Sequence, residues 1–274
     1  SSWFYKEILT WFDDIHNGLL IDNFSPRPSF IGEAMGRNDF RFFPLSHQDL
    51  HLLSWFTPYP KVWALISAAE LVATIGLSVV IVQQSLRPTN PQAAKAPALL
   101  LISCILYLFT SSAAYNYFQF IYSERFLTLL LAVYIYQYCL YQNSGEPKNG
   151  RIAILFALFI PFFKDSAILL AVVPALTTVA LGSVGKINHY PRWNSLKLSD
   201  WARAYALELA ICSLAVFFLA SFVILSALPS LFAGVQRYDA HLGFSALNLD
   251  IRLFFLIGFS ATRLWLLTRN RTKA

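Results

Sequence analysis

VWALISAAELVATIGLSVVIV, residues 62–82, holds one charged side chain, Glu70, in a run that is otherwise apolar, small or hydroxylated. About 20 residues at about 1.5 Å each cross the hydrocarbon core of a bilayer, so this run predicts a membrane-spanning helix. Working outward, further apolar blocks follow at 98–114, 124–141, 152–163, 167–181, 204–228 and 253–267. The whole chain of 274 residues is 57% hydrophobic and 13% charged, against about 25% charged in ordinary soluble domains. With 24 Phe, 13 Tyr and 7 Trp it is also rich in the rings that favour membrane interfaces. The predicted fold class is all-α, a polytopic transmembrane bundle of about seven spans over 62–274. It is preceded by an outer-side segment, 1–61, that carries short interfacial helices.

Residues 1–61 hold Pro26, Pro28, Pro44, Pro58 and Pro60 and no block long enough to span. Two stretches there suit the plane of the interface, one near 3–12 and one at 48–56, where Leu50, Leu52, Leu53, Trp55 and Phe56 cluster. The net charge of +6 is spread over connections and forms no single basic face, which argues against nucleic acid. Lys and Arg gather in every second connection, at 83–97, 142–151, 182–203 and 268–274. By the positive-inside rule those are cytoplasmic, and 1–61, 115–123, 164–165 and 229–250 face outward. That alternation requires 152–163 and 166–181 to be two short helices with Lys164 and Asp165 at their outer turn. The sequence starts at Ser1 and has its one Met at position 35, so an upstream segment with a further span is expected. Cys104, Cys139 and Cys212 lie inside apolar blocks without metal-ligand spacing and read as small buried residues.

Ionisable residues at membrane depth or beside it usually face a cavity or a partner. The adjacent acids Asp13 and Asp14 suit a general base or a divalent cation, and taken alone suit a helix cap or a solvated loop more readily. Residues 36–53, GRNDFRFFPLSHQDLHLL, offer Arg37, Asp39, Arg41, His47, Asp49 and His51 among rings. The planar fork of Arg pairs with two phosphate oxygens, and an interfacial anchor uses the same residue. His47 and His51 stand at i and i+4, a weak signal for zinc. Glu124 and Arg125 open a span, where an acid is favoured by the helix dipole and the Arg can snorkel. Lys164 can neutralise an anionic leaving group or pair locally with Asp165. Glu70, about two turns into its span, is a site candidate or a hydrogen-bonded packing residue.

In this order, Asp13–Asp14, GRNDFRFFPL at 36–45, Glu124, and Lys164 between two short spans resemble the N-terminal membrane core of the GT-C glycosyltransferase superfamily. Its members include lipid A aminoarabinose transferases and protein O-mannosyltransferases, which take sugars from polyprenyl phosphates. The likeness covers most of residues 10–185, and it departs at Asp165, where the family usually has Gly after the Lys.

The resemblance implies an inverting transfer at the outer face of a bacterial inner membrane, a cell-envelope function. Asp13, Asp14 and Glu124 would be catalytic, with the same three acids as candidate ligands of Mg or Mn. Arg37, Arg41, His47, Arg125 and Lys164 would contact a polyprenyl-phosphate-linked sugar and its surrounding lipids. Two other classes stay open. One is a non-catalytic transmembrane subunit of a larger membrane complex, and the other a transporter for an anionic lipid or solute.

Overall fold

A computed structural model describes residues 12–17, 42–86, 97–108, 117, 124–183 and 197–232. All of them belong to one compact unit, Ser1–Gly234. Every regular element among the described residues is helical. They are α1 (12–17), α2 (Gln48–Phe56), α3 (Pro60–Leu86), α4 (Pro97–Leu108), α5 (Glu124–Ser144), α6 (Pro147–Phe163), α7 (Ala167–Ser183), α8 (Leu198–Ala204), α9 (Ala206–Phe222) and α10 (Leu228–Phe232). A π-helical turn, Val223–Ala227, continues α9 into α10.

The helix boundaries follow local chemistry. Gly145 (φ 70) supplies the left-handed residue that ends α5. Pro147 then sits in the first turn of α6, where its missing N–H costs nothing. The sequence reading placed 142–151 in a loop, so α6 starts earlier than expected, with its first turn made of polar residues. Gly150 lies against the Tyr141 ring, where a Cβ would stand 3.0 Å from the ring carbon. At the other end of α6, Lys164 is fully extended (φ −158, ψ 123) and breaks the helix. A tight turn follows, with Ala167 N–H donating to the Lys164 carbonyl at 3.0 Å, and α7 begins. The two-helix reading of this stretch is therefore what the chain does.

Side-chain bonds give the helix directions. Tyr134 and Tyr138 of α5 donate to Ala171 O (2.6 Å) and Thr178 Oγ1 (2.8 Å) of α7, so α5 and α7 run the same way. α6 returns between them, with Phe163 against Phe126 near the start of α5 and Gly150 against Tyr141 near its end. α9 also returns, from Glu208 beside Tyr138 and Gln142 to Phe218 beside Phe42 and Phe162. The bundle thus has a Lys164 end, where α5 and α7 start and α6 stops. It also has a Glu208 end, where α5 and α7 stop. The helix ends that flank the basic connections 142–151 and 182–203 share the Glu208 end, as alternation demands.

α3 and α9 each bury polar side chains among apolar ones and turn other large apolar side chains outward. α3 buries Ser67, Glu70 and Thr74, while Leu65 and Val72 are each 70% exposed. α9 buries Glu208 and exposes Val216, Phe217 and Leu219. The inner faces of α5, α6, α7 and α9 form one core from Leu127, Tyr134, Ala153, Ile160, Ala171 and Ile211, among others. Small residues such as Ala153, Ala157, Ala171 and Ala175 line the contacts, which lets the helices approach closely. Among the described residues, two helices, Pro60–Gln84 and Ala206–Ala227, are long and apolar enough to cross a membrane. Ala167–Ser183 is apolar but shorter. α5 spends Tyr134, Gln137, Tyr138 and Gln142 on its sequence, which lowers its apolar character. Of the expected spans, 253–267 lies outside the described residues, and 98–114 is described to Leu108.

Candidate functional site

The Lys164 end gathers charge from four helices. Arg125, in the first turn of α5, is buried to 2% exposure and is held between two acids. Its guanidinium forms a short ion pair with Asp49 of α2, 76 positions away. On the other side Nε stands 3.0 Å from Glu70 Oε2 of α3, an ion pair out of hydrogen-bonding line. Two carboxylates thus share one guanidinium. Among the described residues, nothing donates a hydrogen bond to the buried Asp49 Oδ1 or Glu70 Oε2. The trio, together with Leu52, Leu53 and Phe56 of α2 and Ile66 of α3, lines a cavity of about 240 Å³.

Next to Arg125, Glu124 turns to the other side of α5. Its Oε1 accepts from Lys164 Nζ at 2.6 Å, across 40 positions of chain. The Lys164 side chain is 40% exposed and that of Glu124 27%, so the pair is open to solvent or to a bound group. Lys164 pairs with Glu124 here, and Asp165 instead accepts from the Ser166 backbone N–H at 2.6 Å. Arg125 does not snorkel outward; it points inward to its two acids.

The remaining expected site residues are placed as follows. Asp13 is exposed and Asp14 half-buried on α1, which leans on α2 and α3 through Ile15, Leu50 and Trp63. His51 Nδ1 donates to Ile15 O at 2.8 Å and fixes that contact. His47 is buried in a left-handed turn (φ 63) just before α2, with Nδ1 2.8 Å from Ser46 Oγ. Its ring is outside the cavity lining, so its local role is to turn the chain into α2. Arg37 and Arg41 lie outside the described residues. Among the described residues no three His, Cys, Asp or Glu side chains stand together as a metal site. Asp13, Asp14 and Glu124 are therefore not gathered into the ligand set expected for Mg or Mn, and the His47/His51 pair is not gathered into a zinc site.

Two features escaped the sequence reading. One is that Asp49 and Glu70 share Arg125; the available signal was three lone charges beside or inside apolar helices. The other is Glu208 at the opposite end, 0% exposed, whose Oε1 accepts from Gln142 Nε2 (2.7 Å) and lies 3.1 Å from the Tyr138 hydroxyl. A lone acid in the apolar run 204–228 was its signal.

No family model matches the chain, and no curated protein or solved structure matches it. What the fold itself defines is an all-helical chain, among the described residues, with two helices able to cross a membrane and a charged, cavity-bearing end.

Proposed function

We propose that this chain is a polytopic membrane glycosyltransferase, moving a sugar from a polyprenyl-phosphate donor to an acceptor at the outward face. The observation that carries the reading is the meeting of Glu124 and Lys164 at 2.6 Å at one end of the bundle. Both were expected in the site from sequence, and both remain partly exposed. A lysine beside the apolar surface is placed for an anionic group carried by a lipid. When the glycosyl C1–O bond breaks, the electron pair goes to the phosphate oxygen, and Lys164 stabilises that charge. Glu124 holds Lys164 in position until phosphate competes for it. Asp13 or Asp14 takes the proton from the acceptor hydroxyl as its oxygen attacks C1. The distribution of Lys and Arg supports placing the Lys164 end outward, away from the cytoplasm.

The test is mass spectrometry of lipids that co-purify with the wild type and with the Asp13→Asn/Asp14→Asn variant. The expected result is a polyprenyl-phosphate sugar retained by both and consumed by the wild type alone. Undiminished transfer by the double variant removes the acidic pair from the mechanism. Absence of any such lipid, together with stable co-purification with a large assembly, replaces the enzyme with a structural subunit.

A further inference from the structure

Two ion pairs leave the first turn of α5 from consecutive residues. Glu124 reaches Lys164 at the end of α6, and Arg125 reaches Asp49 of α2. Neighbouring side chains on a helix point about 100° apart, so a bond that fixes one fixes the heading of the other. The two pairs differ in how firmly they hold. The Glu124 and Lys164 side chains are 27% and 40% exposed, and an exposed pair scarcely repays the ordering of a long lysine chain. Arg125 and Asp49 are 2% and 12% exposed, and parting them would strand a buried charge. The weak pair therefore takes its geometry from the elements that carry it.

Residues 42–49 grip both carriers. At one end the Phe42 ring packs on Phe162 of α6, and the Leu45 N–H donates to the Phe162 carbonyl at 2.9 Å. That carbonyl lies in the last turn of α6, where intrahelical donors run out, two residues before Lys164. At the other end Asp49, in the first turn of α2, holds Arg125. Between the two grips the segment is folded on itself. Ser46 N–H donates to Phe43 O at 3.0 Å, Gln48 N–H to Leu45 O at 3.3 Å, and His47 takes the left-handed turn. The contacts close a circuit: Leu45 to Phe162, along the chain to Lys164, across to Glu124, on to Arg125, across to Asp49, and back to Leu45. We infer that residues 42–49 are a strap that sets Glu124 against Lys164, with Asp49 acting through Arg125 as a positioning residue for that pair. The Glu124–Lys164 link is more open than the Arg125–Asp49 link, so it is the one that parts when an anionic group takes Lys164. The strap itself stands on these contacts. Its bearing on sugar transfer rests on the function proposed above.

The experiment needs no substrate. The full chain in detergent is treated with an amine-labelling reagent, and the rate at Lys164 is read by peptide mass spectrometry. Glu124→Gln removes the partner directly and sets the ceiling, a rise of about fivefold for an exposed pair. Asp49→Asn is expected to reach most of that rise, acting through Arg125. In the Glu124→Gln background it adds nothing further, because both changes release the same lysine. Glu208→Gln, at the opposite end of the bundle, leaves the rate at the wild-type value. Wild-type labelling by Asp49→Asn overturns the inference, and so does additivity with Glu124→Gln or an equal rise in Glu208→Gln. If Asp49→Asn does not fold, Phe42→Leu loosens the other grip and the same three outcomes decide. Where transfer is measured, Asp49→Asn lowers kcat and leaves the KM for the donor unchanged. Labelling that behaves as expected in a chain that transfers no sugar sinks the transferase and leaves the strap standing.

Discussion

Both ends of the bundle bury a carboxylate inside a membrane-length helix, and they treat it in opposite ways. At the Lys164 end, Glu70 of α3 is answered by a cation, Arg125, which also holds Asp49. At the Glu208 end, Glu208 of α9 meets neutral groups, the Gln142 amide and the Tyr138 hydroxyl, with Thr178 2.8 Å beyond Tyr138. The first arrangement lines a cavity and sits beside a half-exposed ion pair. The second lies in the packed interior and ties α5, α7 and α9 together. Charge paired with charge next to open space is suited to exchange partners with a ligand. A carboxylate held by neutral donors in closed packing is suited to fix helices in register.

Removing the cation should break the contrast most severely. Arg125→Met leaves Asp49 and Glu70 facing each other uncompensated, and the expected cost is about 3–5 kcal/mol. Thermal unfolding in detergent should show a large loss. The variant that also carries Asp49→Leu and Glu70→Leu should recover most of it, because no buried charge then remains. Failure of that recovery means the trio contributes specific packing beyond its charges.

Lys164→Gln comes next. The pair it breaks is 40% and 27% exposed, so stability should change by no more than about 1 kcal/mol. Transfer should fall about 10²–10³-fold, the range for losing one preorganised group at a developing anion. A kcat loss with little change in donor binding identifies Lys164 with the leaving group. Equal loss of stability and activity would return it to a structural role.

The distance between these two ends in chemistry was only partly legible in the sequence. Apolar block length revealed the helices at 62–82 and 204–228, because bilayer thickness sets a minimum run that both meet, and shorter apolar blocks marked the helices at 124–141 and 167–181. The break at Lys164 and Asp165 was legible because two charges cannot sit mid-run while Lys and Arg alternate between sides. A helix at 48–56 was legible from its Leu and Trp spacing, and α2 spans Gln48–Phe56 as expected. The trio was not legible as a unit. Asp49, Glu70 and Arg125 come from three helices, and one-dimensional spacing says nothing of which helix faces which. Each had been weighed alone, Glu70 as an isolated acid and Arg125 as a snorkelling cation. Glu208 was passed over because a single acid scarcely alters the apolar character of a span. The early start of α6 was missed because its first turn is set by Gly145 and Pro147 and owes nothing to an apolar run.

Glu208→Gln sharpens the comparison at the closed end. The amide keeps one acceptor and adds donors, so Tyr138 and Gln142 must rearrange around it. The expected loss is about 1–3 kcal/mol, with transfer per folded molecule unchanged. A selective loss of activity would move the functional centre of the molecule to this end.

Tyr134→Phe is the mildest variant and the cleanest. The Tyr134 hydroxyl donates to the Ala171 carbonyl at 2.6 Å, and its ring is 0% exposed in the core between α5 and α7. Phe preserves the ring and removes one neutral hydrogen bond, which costs about 0.5–1.5 kcal/mol. The Ala171 carbonyl keeps its place in the α7 ladder, so it is not left without a donor and the lower half of that range is expected. Thermal unfolding should shift by a small, measurable amount, and activity should not. Were activity to fall with stability intact, register between α5 and α7 would be setting the position of Glu124 against Lys164. The closed interior would then act on the open end through the two helices they share.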